Sequence, residues 1–422
     1  MTHWLPRVAA LLVILASAAP SVGSDEPFAF VQVSGPEQRR QYLANARIWA
    51  DPGALAPQDI LRGPRRTLPP AVARALDGEP VPCTFVRPGK ALGGKTPKFV
   101  CRTPLGTSIR VKYTDGSEGG NREVFSLVAA TRLMWALGFD ADPIYPITVE
   151  CQDCPADPMT GSGERGPRRY LGVYQPRFSG VVMVDGTDPN EGWRWGDLDA
   201  AISGLPPGEV RDRQRMHFDA LTLLGVVFQH GDRKAQQQRL HCGGAIDEAA
   251  GEVHPVTAED SHGYQVPVFF EHPGTRACTE PVVTVQDVGA TFGGAGRTSN
   301  PHTSKMHLAS WVAKPVFQPA RRSSRDQVPE CRGNLTVSMA AGDLAQGNPR
   351  VGEAGRRFLV EQFGRLTDAH LRAILAAARV EQMGEPHVWQ DPRSGRSYSG
   401  TEAWIAALKD KVRQIAERSC AP

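Results

Sequence analysis

The stretch Gln229-His-Gly-Asp-Arg-Lys-Ala-Gln-Gln-Gln-Arg239 marks an abrupt change of chemistry along the chain. Leading into it, Arg211–Gln229 carries Met216, Leu221, Leu224 and Phe228 on or near one stripe, the spacing of a helix with a buried face. The stretch itself holds no large apolar side chain. The plainest account is a polar turn closing a helix, for which Gly231-Asp232 is ordinary chemistry. What sets it apart is His230-x-Asp232 directly after a buried helix, with Gln237 five residues past the aspartate.

A second aspartate lies further on, in Val282-Val-Thr-Val-Gln-Asp-Val-Gly289. A β-branched strand ends there at Asp287, followed by an apolar residue and a glycine. The two aspartates are 287 − 232 = 55 residues apart, and Cys242 and Cys278 bracket a β-rich insertion between them. Upstream, Lys98–Arg102 and Ser108–Tyr113 read as a hairpin across a Pro/Gly turn, with Lys112 on its second strand. The helical pattern Arg122–Leu137 follows, opened by Glu123 and stopped by Gly138. On these two residues alone, a water-facing strand lysine and a first-turn acid favoured by the helix dipole is sufficient. Ahead of the hairpin, Gly93-Gly94-Lys95 with Lys98 forms a turn whose backbone N–H groups can cradle phosphates, without the full Walker A spacing.

Phosphoryl transfer asks a protein for positioning and charge: a lysine on phosphates, an acid orienting it, one aspartate near the attacking hydroxyl and another on the metal. This chain offers those residue types in that order and on those elements. Gly93-Gly-Lys-Thr-Pro-Lys-Phe99 resembles the Gly-rich loop of HipA-type kinases. Gly231-Asp-Arg-Lys234 resembles the Asp-Arg-His loop of phosphoinositide-type and secreted casein-type kinases. The resemblance spans roughly Gly93 to Phe292. It implies an α+β, two-lobed protein-kinase-like fold, with a small β-rich N-lobe and a mostly helical C-lobe. It also implies ATP with Mg²⁺ or Mn²⁺, Lys112, Glu123 and Asp232 as catalytic residues, and Asp287 with Gln237 on metal. Gly93, Gly94, Lys95, Lys98 and Lys112 would hold the nucleotide. Gln237 stands where such loops carry Asn, and Glu118 is a rival partner for Lys112.

Around this segment the expected organisation is a signal peptide over 1–24, a helical extension over 25–82, an N-lobe over 83–150, a linker over 151–169, and a C-lobe over 170–422 with its insertion at 242–278. Residues 1–24 show a short basic start, an apolar run from Val8 to Ala19 and small residues after it, which predicts export to a periplasmic or extracellular space with no membrane span left after cleavage. Eight cysteines in an exported chain favour disulfides. Cys83 with Cys101, Cys242 with Cys278, and a local Cys151–Cys154 pair are the expected ones. A net charge of only +3 argues against nucleic acid as the main partner. No Gly-x-Ser-x-Gly elbow or His-Glu-x-x-His motif supports a hydrolase, and Trp135, Trp193 and Trp195 read as core aromatics. The substrate class stays open among protein, sugar and lipid. The rival classes are a pseudokinase that binds nucleotide without transfer, and a cell-envelope interaction protein.

Overall fold

The computed structural model describes residues 29–32, 35–65, 68–87, 96–115, 120–176, 181–184, 192–231, 233, 235–243, 256–259, 265–270, 278–293, 305–319, 330–335, 348–384 and 387–421. The expected signal peptide, Gly93, Gly94, Lys95, Glu118 and Asp232 lie outside them.

The fold is α+β. Strand β1 (Ala29–Gln32) is followed by the helices α1 (Pro36–Asn45), α2 (Pro57–Arg62) and α3 (Pro70–Ala75), each with proline in its first turn, where the missing N–H costs nothing. Next come β2 (Val81–Val86), β3 (Lys98–Arg102) and β4 (Ser108–Thr114). Helix α4 (Glu123–Ala136) leads to β5 (Tyr145–Cys154) and β6 (Gly166–Tyr174). These five strands close a barrel in the order β2-β3-β4-β6-β5. Along β4, Ile109, Val111 and Tyr113 enter the barrel core with Phe99 and Tyr170. Alternation therefore turns Lys112 to the outer face. That face is covered by α4, so Lys112 is buried and does not meet bulk water.

Of residues 151–169, expected as a loop or linker, 151–154 and 166–169 are barrel strand, where β5 and β6 pair with a register shift at the Cys151–Cys154 disulfide, and the residues between form a loop. Proline, glycine and charge there serve a hairpin tip, closed by backbone bonds between Asp157 and Ser162. Gly138 ends α4 at φ 87, and a Cβ there would lie 2.2 Å from Ala50 O, so only glycine fits.

Beyond β7 (Val181–Val184) run α5 (Trp195–Ser203) and α6 (Glu209–Val227). Strand β8 (Gln238–Cys242) follows, then β9 (Val256–Glu259), β10 (Gln265–Phe270) and β11 (Pro281–Val285). Six strands form a second sheet, β11-β8-β7-β1-β10-β9. Strand β1, from the segment expected to be a helical extension, sits mid-sheet, parallel to both β7 and β10. The insertion thus supplies β9 and β10, and Cys242–Cys278 closes its base. Helices α7 (Leu308–Val312), α8 (Glu353–Gly364), α9 (Asp368–Ala377) and α10 (Gly400–Ala416) complete the larger core. Cys83–Cys101 and Cys331–Cys420 are the other two disulfides. Among the described residues, no helix is long and apolar enough to cross a membrane.

Candidate active site

Asp287 reaches the site because β11 pairs antiparallel with β8, Val285 opposite Gln238, and Gln286 N donates to Gln237 O at 2.8 Å. Asp287 then takes φ 45, a left-handed conformation that Asp and Asn tolerate better than other side chains. The next turn is anchored from below. Phe292 N donates to Phe228 O at 2.7 Å, and the Phe292 ring meets Phe228, Trp311 and Trp404 edge-on or tilted. One aromatic cluster therefore fixes both the end of α6 and the residues after Asp287.

Lys112 is the hub. Its Nζ donates to Glu123 Oε1 at 3.0 Å and to Asp287 Oδ1 at 2.8 Å. Glu123 is 4% exposed and Lys112 8%, while Asp287 keeps 39% of its side chain open. Glu123 Oε2 accepts from Thr96 Oγ1 at 2.7 Å and from Lys305 Nζ. Gln237 Nε2 donates to Asp287 Oδ2 at 3.3 Å. One turn along α4, Ser126 Oγ donates to Gly289 O. Lys98 lies opposite Lys112 in the β3–β4 ladder, so both side chains leave the same face.

The electrostatics follow from that packing. Burial alone would lower the Lys112 ammonium, but the Asp287 and Glu123 carboxylates outweigh it and hold it raised. Burial would raise both carboxyls; Lys112 foremost, then Lys305, brings each below the usual carboxylate range. Lys98 goes the other way: burial, then repulsion from Lys112, pushes it down to about 8. All members of the Lys112–Glu123–Asp287 triad are charged at neutral pH.

The described residues after α6 are tied to its last turn. His230 N donates to Gly225 O at 2.7 Å. Arg233 donates from Nε to His230 O at 3.2 Å, and its guanidinium lies 4.1 Å over the Trp195 ring. A Cβ on Gly225 would come within 2.8 Å of Arg233 Nη2, so the glycine makes room for this buried cation. His230 is fully buried, and burial first, with Arg233 next, pushes its imidazole down to about 3. The ring is neutral at pH 7, and the bonds that tie this residue into the loop come from its backbone N and O. Trp193 and Trp195 are buried core aromatics.

This depressed imidazole sets a pH dependence. Unfolded histidine binds a proton near pH 6.5, whereas the folded ring does not, so stability is flat above that pH and falls as pH drops below it. At pH 5 the His230 contribution is a loss of about 2 kcal/mol, and His217, lowered to about 4 by burial, adds in the same direction. Urea unfolding of His230→Gln at pH 7 and pH 5 should show a smaller drop than the unsubstituted chain. An equal drop would show that this ring is not the acid-sensitive group.

Of the residues singled out from sequence, Lys112, Glu123, Asp287, Gln237 and Lys98 come together. Thr96 lies within the Gly93–Phe99 turn, where nothing sets its hydroxyl apart, and Lys305 follows a stretch without periodicity and has no signal in the sequence. Magnesium and manganese are hard ions that take carboxylate and carbonyl oxygens, with one or two protein carboxylates completed by water and phosphate. An open Asp287 carboxylate beside a Gln237 amide fits that donor chemistry. Among the described residues no cluster of three or more His, Cys, Asp or Glu forms a metal cage.

No protein-family model matches the chain, and no curated protein matches it. Among solved structures the chain is similar to the Helicobacter pylori proinflammatory kinase CtkA, at 10% identity and a TM-score of 0.35, over 80% of this chain and 96% of that one.

Proposed function

We propose that this chain is an exported, two-lobed protein-kinase-like phosphotransferase that uses ATP with Mg²⁺ or Mn²⁺. The observation that carries the reading is the buried Lys112 ammonium bridging Glu123 on α4 and Asp287 after β11. A lysine held by a helix acid, next to an aspartate on a strand end, is the arrangement phosphoryl transfer needs for holding phosphates and metal. Lys112 then contacts phosphate, Glu123 orients it, and Asp287 with Gln237 holds the metal, which neutralises charge developing on the transferred group. Lys98, with the turn at Gly93, Gly94 and Lys95, adds donors for the phosphates. Asp232 orients the substrate hydroxyl and accepts its proton. Four disulfides and the pattern of residues 1–24 support an oxidising, extracytoplasmic location.

Melting the processed protein with ATP and Mg²⁺ or Mn²⁺ tests this directly. At a hundred times its dissociation constant the nucleotide should add about 2.7 kcal/mol. Asp287→Asn, which keeps the left-handed backbone comfortable, should remove the metal-dependent part of that shift. Asp232→Ala should keep the shift and abolish transfer. No shift with either metal would sink the nucleotide reading in favour of an envelope interaction protein. A pseudokinase is the second reading, because Gln237 stands where such catalytic loops carry the metal-binding Asn. A shift without transfer of phosphate or AMP to any acceptor would select it.

A further inference from the structure

We propose that Lys305 is a positioning residue for nucleotide binding: by sharing Glu123 with Lys112, it leaves Lys112 able to turn toward a phosphate. The inference rests on the phosphotransferase reading above and adds a residue to it.

Glu123 is the most buried member of the cluster, at 4% exposure, and a carboxylate so enclosed needs both oxygens satisfied. Lys112 occupies Oε1; Lys305 and Thr96 occupy Oε2. Lys112 is simultaneously bonded to Asp287, the open member of the cluster and the one that faces an incoming ligand. When a phosphate arrives, Lys112 must serve Glu123 and the ligand together. With Lys305 in place, the Glu123 charge is already divided between two ammoniums. Without it, one ammonium alone compensates a buried carboxylate, and Lys112 is drawn toward Glu123 and away from the open side. Lys305 Nζ is itself bonded to Glu123 Oε2, so its role runs through Glu123.

The chain brings Lys305 there for backbone reasons. Met306 N donates to Thr291 O at 3.0 Å and His307 N to Phe292 O at 2.7 Å, which ties the residues around Lys305 to those just past Asp287. Phe292 and Met306 both take left-handed φ angles, 54 and 46, and both are buried. Non-glycine residues keep such angles only where the surrounding structure imposes them. Lys305 therefore meets Glu123 within a fixed frame.

The test compares Lys305→Met and Lys305→Arg with the unsubstituted chain by calorimetric titration with ATP and Mg²⁺, each variant first shown to be folded by its ligand-free melt. Lys305→Met should weaken ATP·Mg²⁺ binding about tenfold, and Lys305→Arg, which restores the charge on Glu123, should return most of the loss. Unchanged affinity in Lys305→Met overturns the proposal. So does a loss that arginine fails to rescue, because that pattern belongs to packing alone. If the unsubstituted chain binds no ATP, the phosphotransferase reading falls and takes this one with it; binding by the unsubstituted chain with an indifferent Lys305→Met removes only this inference.

Discussion

Gly289→Ala should abolish metal-dependent ATP binding, although the residue touches no proposed ligand. A Cβ at this position would stand 2.3 Å from Glu123 Cγ, 2.8 Å from Glu123 Cδ and 3.0 Å from Leu127 Cγ. Gly289 is not among the glycines with left-handed φ, so the cost is contact and not backbone strain. Glu123 cannot give way cheaply, because its carboxylate is held by Lys112, Lys305 and Thr96. Nor can the turn retreat, since Ser126 Oγ binds Gly289 O. One methyl must therefore break the Glu123 pairings or push α4 from the Asp287 turn. Overpacking of this kind costs about 1–3 kcal/mol in stability. Loss of the Lys112–Glu123 geometry should raise the ATP·Mg²⁺ dissociation constant at least about a hundredfold. Calorimetric titration and a ligand-free melt measure the two effects separately. If Gly289→Ala binds ATP·Mg²⁺ as tightly as the unsubstituted chain, Glu123 does not position Lys112 for phosphate.

That glycine also shows where sequence reading stops. Asp287-Val-Gly289 is legible as a strand end followed by a turn, and Lys112 and Glu123 are legible as a strand lysine and a helix-opening acid, but their short spacing leaves Glu118 a rival for the pairing. Their burial is not legible. Helix α4 is enclosed on nearly every side, so its apolar stripe understates how completely the barrel and larger core cover it. Lys305 was invisible because its partner lies 182 residues away and no local pattern marks it. Strand β1 is hidden for the same reason: four residues carry little periodicity, and its neighbours β7 and β10 lie far along the chain, at residues 181–184 and 265–270. The β5–β6 hairpin is legible only in part, for the opposite reason. Its tip has the composition of a linker, while the pairing that makes it barrel is set by the strands on either side. Local adjacency was readable; long-range pairing and enclosure depend on tertiary packing that no window of sequence contains.

Lys112→Met should destabilise the chain most at neutral pH and least in acid. Lys112 is buried with two carboxylates on it, and taking away one partner of a buried pair costs about 3–5 kcal/mol, since the remaining charge is left without compensation. Lys305 still holds Glu123 Oε2 and so keeps the loss within that range. The pH dependence follows from Glu123 and Asp287. In the unsubstituted chain Lys112 depresses both carboxyls, so their contribution is present above the unfolded carboxylate range and disappears as pH falls through the depressed values. In Lys112→Met, burial acts on these carboxyls without its main counterweight and raises them, so the folded variant takes up protons as pH falls and recovers stability. The gap between the two proteins is therefore widest near pH 7 and narrows as pH falls through the raised carboxyls of the variant and on toward the depressed ones of the unsubstituted chain. His230 acts equally in both and cancels in the difference. Urea unfolding at pH 7 and pH 4 measures the gap, and ATP·Mg²⁺ titration at pH 7 should find no binding by the variant. A gap independent of pH would mean that Lys112 contributes packing and not charge compensation, and the active-site reading of the Lys112–Glu123–Asp287 cluster would lose its electrostatic basis.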